Sequence, residues 1–136
     1  MKQHIRDYVR IRAKDCCEYC RGQADFSHDF FSVEHIIPLI MNGTDDLWNL
    51  AWSCLSCNNI KYTAITAIDP ETEQVVPLFH PRQDLWTDHF EWSEDTTLMI
   101  GKTPVGRATI SRLQLNRFGL VNYRRVLAIA GEHPPR

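Results

Sequence analysis

Long apolar runs are absent from this sequence. No stretch approaches the ~20 apolar residues that a membrane-spanning helix requires, and the first residues, MKQHIRDYVRIR, lack the apolar centre of a secretory signal. We therefore expect a cytoplasmic protein with no membrane partner. A length of 136 residues, with 43% hydrophobic and 24% charged residues, is typical of one globular domain with a modest core.

Positive charge is nearly absent from one part of the chain, and negative charge is absent from another. Between Thr66 and Leu98 eight acidic residues occur with the single base Arg82. From Gly101 to Gly131 there is no acid and there are six bases, which are Lys102, Arg107, Arg112, Arg117, Arg124 and Arg125. A second basic cluster opens the chain: Lys2, Arg6, Arg10, Arg12 and Lys14. The net charge of -2 thus conceals segments that can form a phosphate-binding face; the alternative is that they are solvated helix faces.

The spacing of the five cysteines is informative. Four of the five cysteines form two Cys-x-x-Cys pairs, Cys17/Cys20 and Cys54/Cys57, separated by 33 residues. In a cytoplasmic chain this pattern argues against disulfides and for a tetrahedral zinc ion held by four thiolates, which leaves no open position and is therefore structural. Two unrelated pairs or a redox dithiol are the alternatives. Cys16 breaks the two-residue spacing and is interpreted as a buried thiol.

The chain around the cysteines has a readable order of elements. We predict an amphipathic helix over residues 3–14, a strand over 31–37 stopped by Pro38, a turn over 42–46 and a second strand over 47–53. A helix is predicted to run from Asn58 to Ala64. In the second half we predict a strand over 75–79, a short helix over 81–89, a hairpin over 90–100 and two further helices. Thr103 should cap the first of these helices, and Asn122 should begin the second.

Glu34-His35 at the end of the first predicted strand has different chemistry from the cysteines. A carboxylate suits Mg²⁺, and histidine can take a proton from water near neutral pH. Adjacent strand residues point to opposite faces, so the pair needs a twist or bulge to converge. Asn58 can supply a second oxygen ligand, and Lys61, one turn later, can hold a phosphodiester as a point charge.

The combination of these residues resembles the HNH endonuclease family in its zinc-bound form. The resemblance rests on Glu34-His35, on Asn49 fourteen residues later, and on Cys54-x-x-Cys57-Asn58-x-x-Lys61, all behind a first Cys-x-x-Cys. It covers roughly residues 1–64. The tail that begins LFHPRQDLWTDHFEW is similar to that of small standalone bacterial HNH proteins, particularly cyanobacterial ones.

The resemblance implies roles for the site residues. His35 is expected to be the general base that activates water against a DNA phosphodiester, leaving 5′-phosphate and 3′-hydroxyl ends. Glu34 and Asn58 are expected to hold one catalytic divalent cation, Mg²⁺, with Mn²⁺ or Ni²⁺ as substitutes. Asn49 is expected to orient His35 through the loop. Family members usually have Asp where this chain has Glu34, which puts the position of that ligand in doubt.

Together these observations predict an α+β fold with a ββα-metal (HNH, His-Me finger) core, a four-cysteine zinc site, an N-terminal helix and a C-terminal extension of a hairpin and helices. Residues 1–64 would form the nuclease core, and residues 65–136 would pack on it and contact the DNA backbone. The predicted partner is DNA, with no small-molecule substrate, as a monomer or homodimer. The alternatives are an inactive zinc-stabilised nucleic-acid-binding module and a zinc-stabilised protein-interaction domain.

Overall fold

Two short antiparallel strands and a helix form the centre of the first half of the chain. The computed structural model describes residues 1–136, which divide into two units: Met1–Ile65 with His80–Gln83, and Thr66–Phe79 with Asp84–Arg136. The first unit contains helix α1 (Gln3–Arg12), strand β1 (Phe31–His35), strand β2 (Leu50–Cys54) and helix α2 (Leu55–Lys61). Short 3₁₀ turns lie between these elements, at Ala24–Phe26, Leu39–Met41 and Leu47–Asn49.

Strands β1 and β2 pair without interruption from Phe31↔Cys54 to His35↔Leu50. Every side chain of β2 is buried, because α1 packs on this hairpin and α2 follows β2 directly. The ββα order agrees with the predicted mixed α/β core. The register is unbroken at Glu34-His35, so the strand has no bulge there that would turn the two side chains to one face.

Helix α2 begins at Leu55, three residues before the predicted start. The cap is Cys54, whose sulfur accepts a hydrogen bond from the amide of Cys57, so the metal knuckle itself starts the helix. Asn58 therefore lies inside the helix and not at its start.

The second unit contains the remaining elements: β3 (Thr66–Ile68), β4 (Val75–Pro77), α3 (Trp86–His89), β5 (Phe90–Trp92), β6 (Met99–Gly101), α4 (Pro104–Leu113) and α5 (Phe118–Ile129). Strand β3 pairs with β4, and β5 pairs with β6 as predicted. Helix α4 packs on β3, β4 and β6. Thr103 caps it as predicted, accepting from the amide of Gly106 at 3.0 Å. Helix α5 starts four residues before the predicted Asn122.

An aromatic cluster forms part of the core of the second unit. Trp86 lies 5.6 Å from Phe90 and 5.4 Å from Trp92 between ring centroids, and Phe79 lies 5.1 Å from Phe90. Such tilted and edge-to-face pairs are favourable beyond their buried area. The four aromatic residues therefore pack with one another in the second unit. None of the helices in either unit is both long enough and apolar enough to cross a bilayer.

Candidate active site and metal centre

The four predicted zinc ligands converge. Cys17, Cys20, Cys54 and Cys57 are all buried and reduced, and their sulfur atoms lie within 4.8 Å of one another. Cys20 Sγ and Cys54 Sγ are 3.9 Å apart, while a tetrahedral zinc with Zn–S bonds of ~2.3 Å places its sulfurs about 3.8 Å apart. The donor set therefore suits zinc, and its four protein ligands make the site a closed, structural one.

Backbone amides surround the sulfurs. Cys20 N donates to Cys17 Sγ at 3.4 Å, and Gly22 N donates to Cys20 Sγ at 3.3 Å. Hydrogen bonds from Cys17 and the other thiols, with burial, raise the pKa of Cys20 well above its usual range. Several thiolates cannot share this buried volume without a cation, whereas amide donors favour the charged form. The four cysteines with their amide donors therefore suit a bound cation.

Glu34 lies in a buried ion pair, away from solvent. Its Oε1 accepts from Lys61 Nζ at 2.6 Å, its Oε2 accepts from the Tyr19 hydroxyl at 2.7 Å, and Lys61 also donates to Ile36 O at 2.9 Å. The Glu34 and Lys61 side chains are 3% and 1% exposed. Burial raises the pKa of Glu34, opposed by the charge and hydrogen bonds of Lys61 and by the bond from Tyr19.

Two sequence expectations need correction here. Lys61 was expected to hold a phosphodiester, but its ammonium is buried against Glu34 and a carbonyl, so it does not present its charge to a ligand in solution. Glu34 was expected to bind the catalytic cation, but both of its oxygens are occupied, and Lys61 already balances its charge. The longer glutamate side chain reaches into the core between α2 and the first cysteine knuckle.

His35 has a carboxylate partner that sequence reasoning missed. Its Nε2 lies 2.7 Å from Asp45 Oδ1, and the His35 side chain is 24% exposed, whereas that of Asp45 is 74% exposed. Asp45 belongs to the turn NGTDD, which begins four residues after Pro38. Composition marked this segment as a turn, but no local signal indicated that it folds back onto the end of β1.

Asn49 closes the loop that contains Asp45. Its Oδ1 accepts from Ile37 N at 2.8 Å, and its Nδ2 donates to Ile37 O at 2.9 Å and to Thr44 O at 2.8 Å. The amide thus satisfies three backbone groups at the two ends of the segment 37–44. These bonds are of the loop-holding kind that the sequence suggested, and the side chain is buried.

A cavity of about 270 Å³ lies beside this loop. It is lined by Glu34, His35, Pro38, Leu39, Ile40, Asn58 and Tyr62. Asn58 is half-buried, and its side-chain amide makes no hydrogen bond within the chain. His35 and Asn58 therefore open onto the same cavity, although 23 residues separate them in the sequence.

The basic residues predicted to contact DNA have diverse surroundings. The prediction that Arg124 contacts DNA is wrong, because its side chain is buried. Arg124 is 1% exposed and donates to Leu115 O at 2.7 Å and to Thr97 O at 3.1 Å. Arg107 forms a bidentate pair with the buried Asp69, at 3.0 and 2.9 Å, and this pair lowers the pKa of Asp69. The four others are exposed or half-exposed: Lys102, Arg112, Arg117 and Arg125.

Tyr19, Glu18 and Tyr62 are further residues that sequence reasoning missed. Tyr19 lies inside the first knuckle and donates to Glu34. Glu18 Oε2 accepts from Trp52 N at 2.8 Å, and its other oxygen pairs with Arg82, within the same unit. The only sequence signal of Glu18 and Tyr19 was their place between two zinc ligands, which the spacing rule treats as variable; Tyr62, which lines the cavity, had no such signal.

The fold and the site together define a ββα-metal unit closed by a four-cysteine centre. Residues 17–63 match the model of the family described as HNH endonuclease, so this part of the chain is similar to that family. This confirms the resemblance drawn from the motifs. No curated protein and no solved structure matches the chain.

Proposed function

We propose that this protein is a metal-dependent endonuclease that hydrolyses DNA phosphodiester bonds with His35 as the general base. The observation that carries the proposal is the His35–Asp45 contact at a cavity that also contains Asn58. The HNH endonuclease match over residues 17–63 supports nuclease chemistry in general.

The Asp45 contact determines which nitrogen of His35 acts. An ionised carboxylate can only accept a hydrogen bond, so Nε2 carries the proton and donates it to Asp45. Nδ1 is then left with a lone pair that can take a proton from water. The water oxygen attacks phosphorus, the bond to the 3′-oxygen breaks, and the resulting imidazolium is stabilised by the neighbouring carboxylate. Asn49 is a positioning residue in this scheme, because it holds the loop from which Asp45 comes.

The residues at the cavity fit a divalent cation in part. Asn58 offers an amide oxygen with no partner in the chain, whereas Glu34 is occupied by Lys61 and Tyr19. Mg²⁺ retains several waters and needs few protein ligands, so we keep Asn58 as a ligand and assign Glu34 to positioning. When bound, Mg²⁺, Mn²⁺ or Ni²⁺ would stabilise the charge that develops on the phosphate in a one-metal mechanism.

DNA contacts are assigned to the basic side chains that are not buried. Lys102, Arg112, Arg117 and Arg125 belong to the acid-free segment of the second unit. The logarithm of the DNA-binding constant falls with the logarithm of the salt concentration, and each phosphate contact that these residues make should steepen that fall by about 0.9. The division into a core of residues 1–64 and a DNA-contacting extension of residues 65–136 is part of this proposal.

A plasmid-cleavage assay tests the proposed activity. Wild type, His35→Ala and His28→Ala are compared with Mg²⁺, Mn²⁺ and Ni²⁺, with zinc content measured for each protein. His28 is an exposed histidine outside the cavity, so its variant is the matched control. We expect cleavage by wild type and His28→Ala, and its loss in His35→Ala. If all three are inert while zinc-loaded, an inactive binding module or a protein-interaction domain is left, and salt-dependent DNA binding separates those two.

A further inference from the structure

Tyr62 has a backbone conformation that favours glycine. Its φ and ψ angles are 51° and -119°, and Ala64 N donates to Lys61 O at 2.9 Å to close a turn over residues 61–64. These angles are those of the first central position of a type II′ turn, where glycine dominates because a side chain is strained there. A bulky aromatic residue at positive φ is therefore an outlier that needs a reason.

Packing within the chain does not supply that reason. Tyr62 is 77% exposed, its hydroxyl makes no hydrogen bond, and its ring lies against no other ring of the protein. Ending α2 after the buried Lys61 requires only the turn, which glycine would form with less strain. The tyrosine side chain contributes nothing visible to the fold at this position.

Its position at the cavity suggests a different role. Tyr62 lines the cavity that contains His35 and Asn58, and Pro38, Leu39 and Ile40 line it as well. Leu39 and Ile40 are 57% and 79% exposed. The cavity thus combines an acid–base group with three exposed apolar or aromatic side chains, those of Leu39, Ile40 and Tyr62.

The substrate of a phosphodiesterase carries both kinds of surface. Its phosphates are charged, whereas its bases have apolar faces that are covered in a duplex and open when the strand is unpaired. Aromatic side chains bind such open bases by stacking, without regard to sequence. A tyrosine beside the catalytic histidine would bind an unpaired base next to the phosphate to be cut.

We propose that Tyr62 stacks on an unpaired base beside the scissile phosphate, so that single-stranded or locally unpaired nucleic acid is the preferred substrate class. This inference rests on the proposed nuclease function for the meaning of the cavity. The strain at Tyr62 is retained because the ring is needed at that place, and Leu39 and Ile40 extend the apolar wall for the same base.

Binding to defined oligonucleotides tests the proposal without requiring cleavage. The parent is His35→Ala, and the probes are a fluorescein-labelled single strand of about 12 nucleotides, within the usual range of binding-site sizes, and the duplex of the same sequence. Tyr62→Leu and Tyr62→Gly should weaken single-strand binding by about 5- to 100-fold, with a much smaller effect on the duplex. Tyr62→Phe should retain the parent affinity, because stacking needs the ring and not the hydroxyl.

Two controls separate stacking from a structural role. Phe30→Leu removes another exposed ring of the same unit, 81% exposed and outside the cavity, and should leave binding unchanged. Tyr62→Gly should not lower the melting temperature of the zinc-loaded protein, since glycine adopts this φ freely. A merely structural tyrosine would give the opposite pattern, with lost stability and unchanged binding.

Three results would overturn the proposal: single-strand binding that is undetectable in the parent, equal losses on single strand and duplex, or a Tyr62→Phe variant as weak as Tyr62→Leu. The same experiments distinguish a failure of the stacking proposal from a failure of the proposed hydrolysis. If the His35→Ala parent shows Tyr62-dependent single-strand binding while wild type cuts nothing, stacking stands and catalysis does not. If wild type cuts DNA and Tyr62→Gly cuts single strands equally well, only the stacking is lost.

Discussion

Replacing Glu34 by glutamine should destabilise the zinc-bound unit strongly. The substitution keeps the side-chain volume but removes the negative charge from a pair whose members are 3% and 1% exposed. Lys61 would be left as a buried ammonium that has lost its carboxylate partner and retains neutral acceptors such as Ile36 O at 2.9 Å. Breaking a buried pair from one side typically costs about 3–5 kcal/mol, because the remaining charge is uncompensated.

Thermal unfolding with saturating zinc measures this cost. For a chain of this size each kcal/mol shifts the melting temperature by about 3–4 °C, so Glu34→Gln should melt about 10–20 °C below wild type. Glu94→Gln is the matched control, since Glu94 is exposed and makes no ion pair. Its melting temperature should equal that of wild type.

The partner substitution should be milder and should depend on pH in a defined direction. Lys61→Met leaves Glu34 without its cationic partner. Burial already raises the pKa of Glu34 above 4.5, so this carboxyl can become neutral by taking up a proton. A carboxyl with a higher pKa in the folded than in the unfolded state loses stability as pH rises between those two values. Without Lys61 to oppose the shift, the variant should lose stability more steeply than wild type from about pH 4.5 upward.

The double variant Glu34→Gln/Lys61→Met completes the cycle. It removes both charges, so it should be more stable than Glu34→Gln alone. The reasoning is refuted if Glu34→Gln melts within about 3 °C of wild type, which corresponds to less than about 1 kcal/mol, or if Lys61→Met is the more damaging single change at pH 5.

Three further predictions concern the metal centre and the loop. Removing zinc with a chelator should unfold the first unit, because structural zinc sites contribute roughly 10–16 kcal/mol; circular dichroism should show the loss and its reversal by zinc, and a stable apo protein would contradict the site. Asn49→Ala should lower the free energy of unfolding by about 1–3 kcal/mol, because loop backbone groups lose their partners, and it should also lower kcat. Asn59→Ala, at an exposed position of α2, should change neither the stability nor kcat. Asp45→Asn should lower kcat by about 10²–10⁴-fold with unchanged stability, because the amide no longer fixes the tautomer of His35; equal rates for Asp45→Asn and wild type would remove Asp45 from the mechanism.

Local chemistry explains why some features of the fold could be predicted from the sequence. Within each Cys-x-x-Cys pair the two sulfurs approach one point because of the two-residue spacing, whereas the two pairs meet because the first knuckle is bonded to β2 at Trp52. Thr103 caps α4 because a hydroxyl and an amide three residues later meet wherever a helix begins. The β5–β6 hairpin follows from a short turn between two apolar segments.

The partners of the buried charged residues depend on long-range packing. Whether Glu34 binds a cation or a lysine depends on the position of Lys61, 27 residues away, and on Tyr19, 15 residues away. Likewise Arg124 looked like a surface base, but it is buried by carbonyl groups 9 and 27 residues distant. Periodicity and spacing carry no information about such partners, because their distances along the chain have no fixed relation to their distances in space.

Residue types at short, regular spacings were sufficient to predict the zinc ligands, the ββα order and the candidate base His35. The surroundings of the site residues depend on tertiary contacts. Asp45 folds onto His35, Glu34 turns into the core, and Tyr62 takes a strained turn position at the cavity. These outcomes follow from how the loop, the helix and the strands pack on one another, which no local pattern specifies.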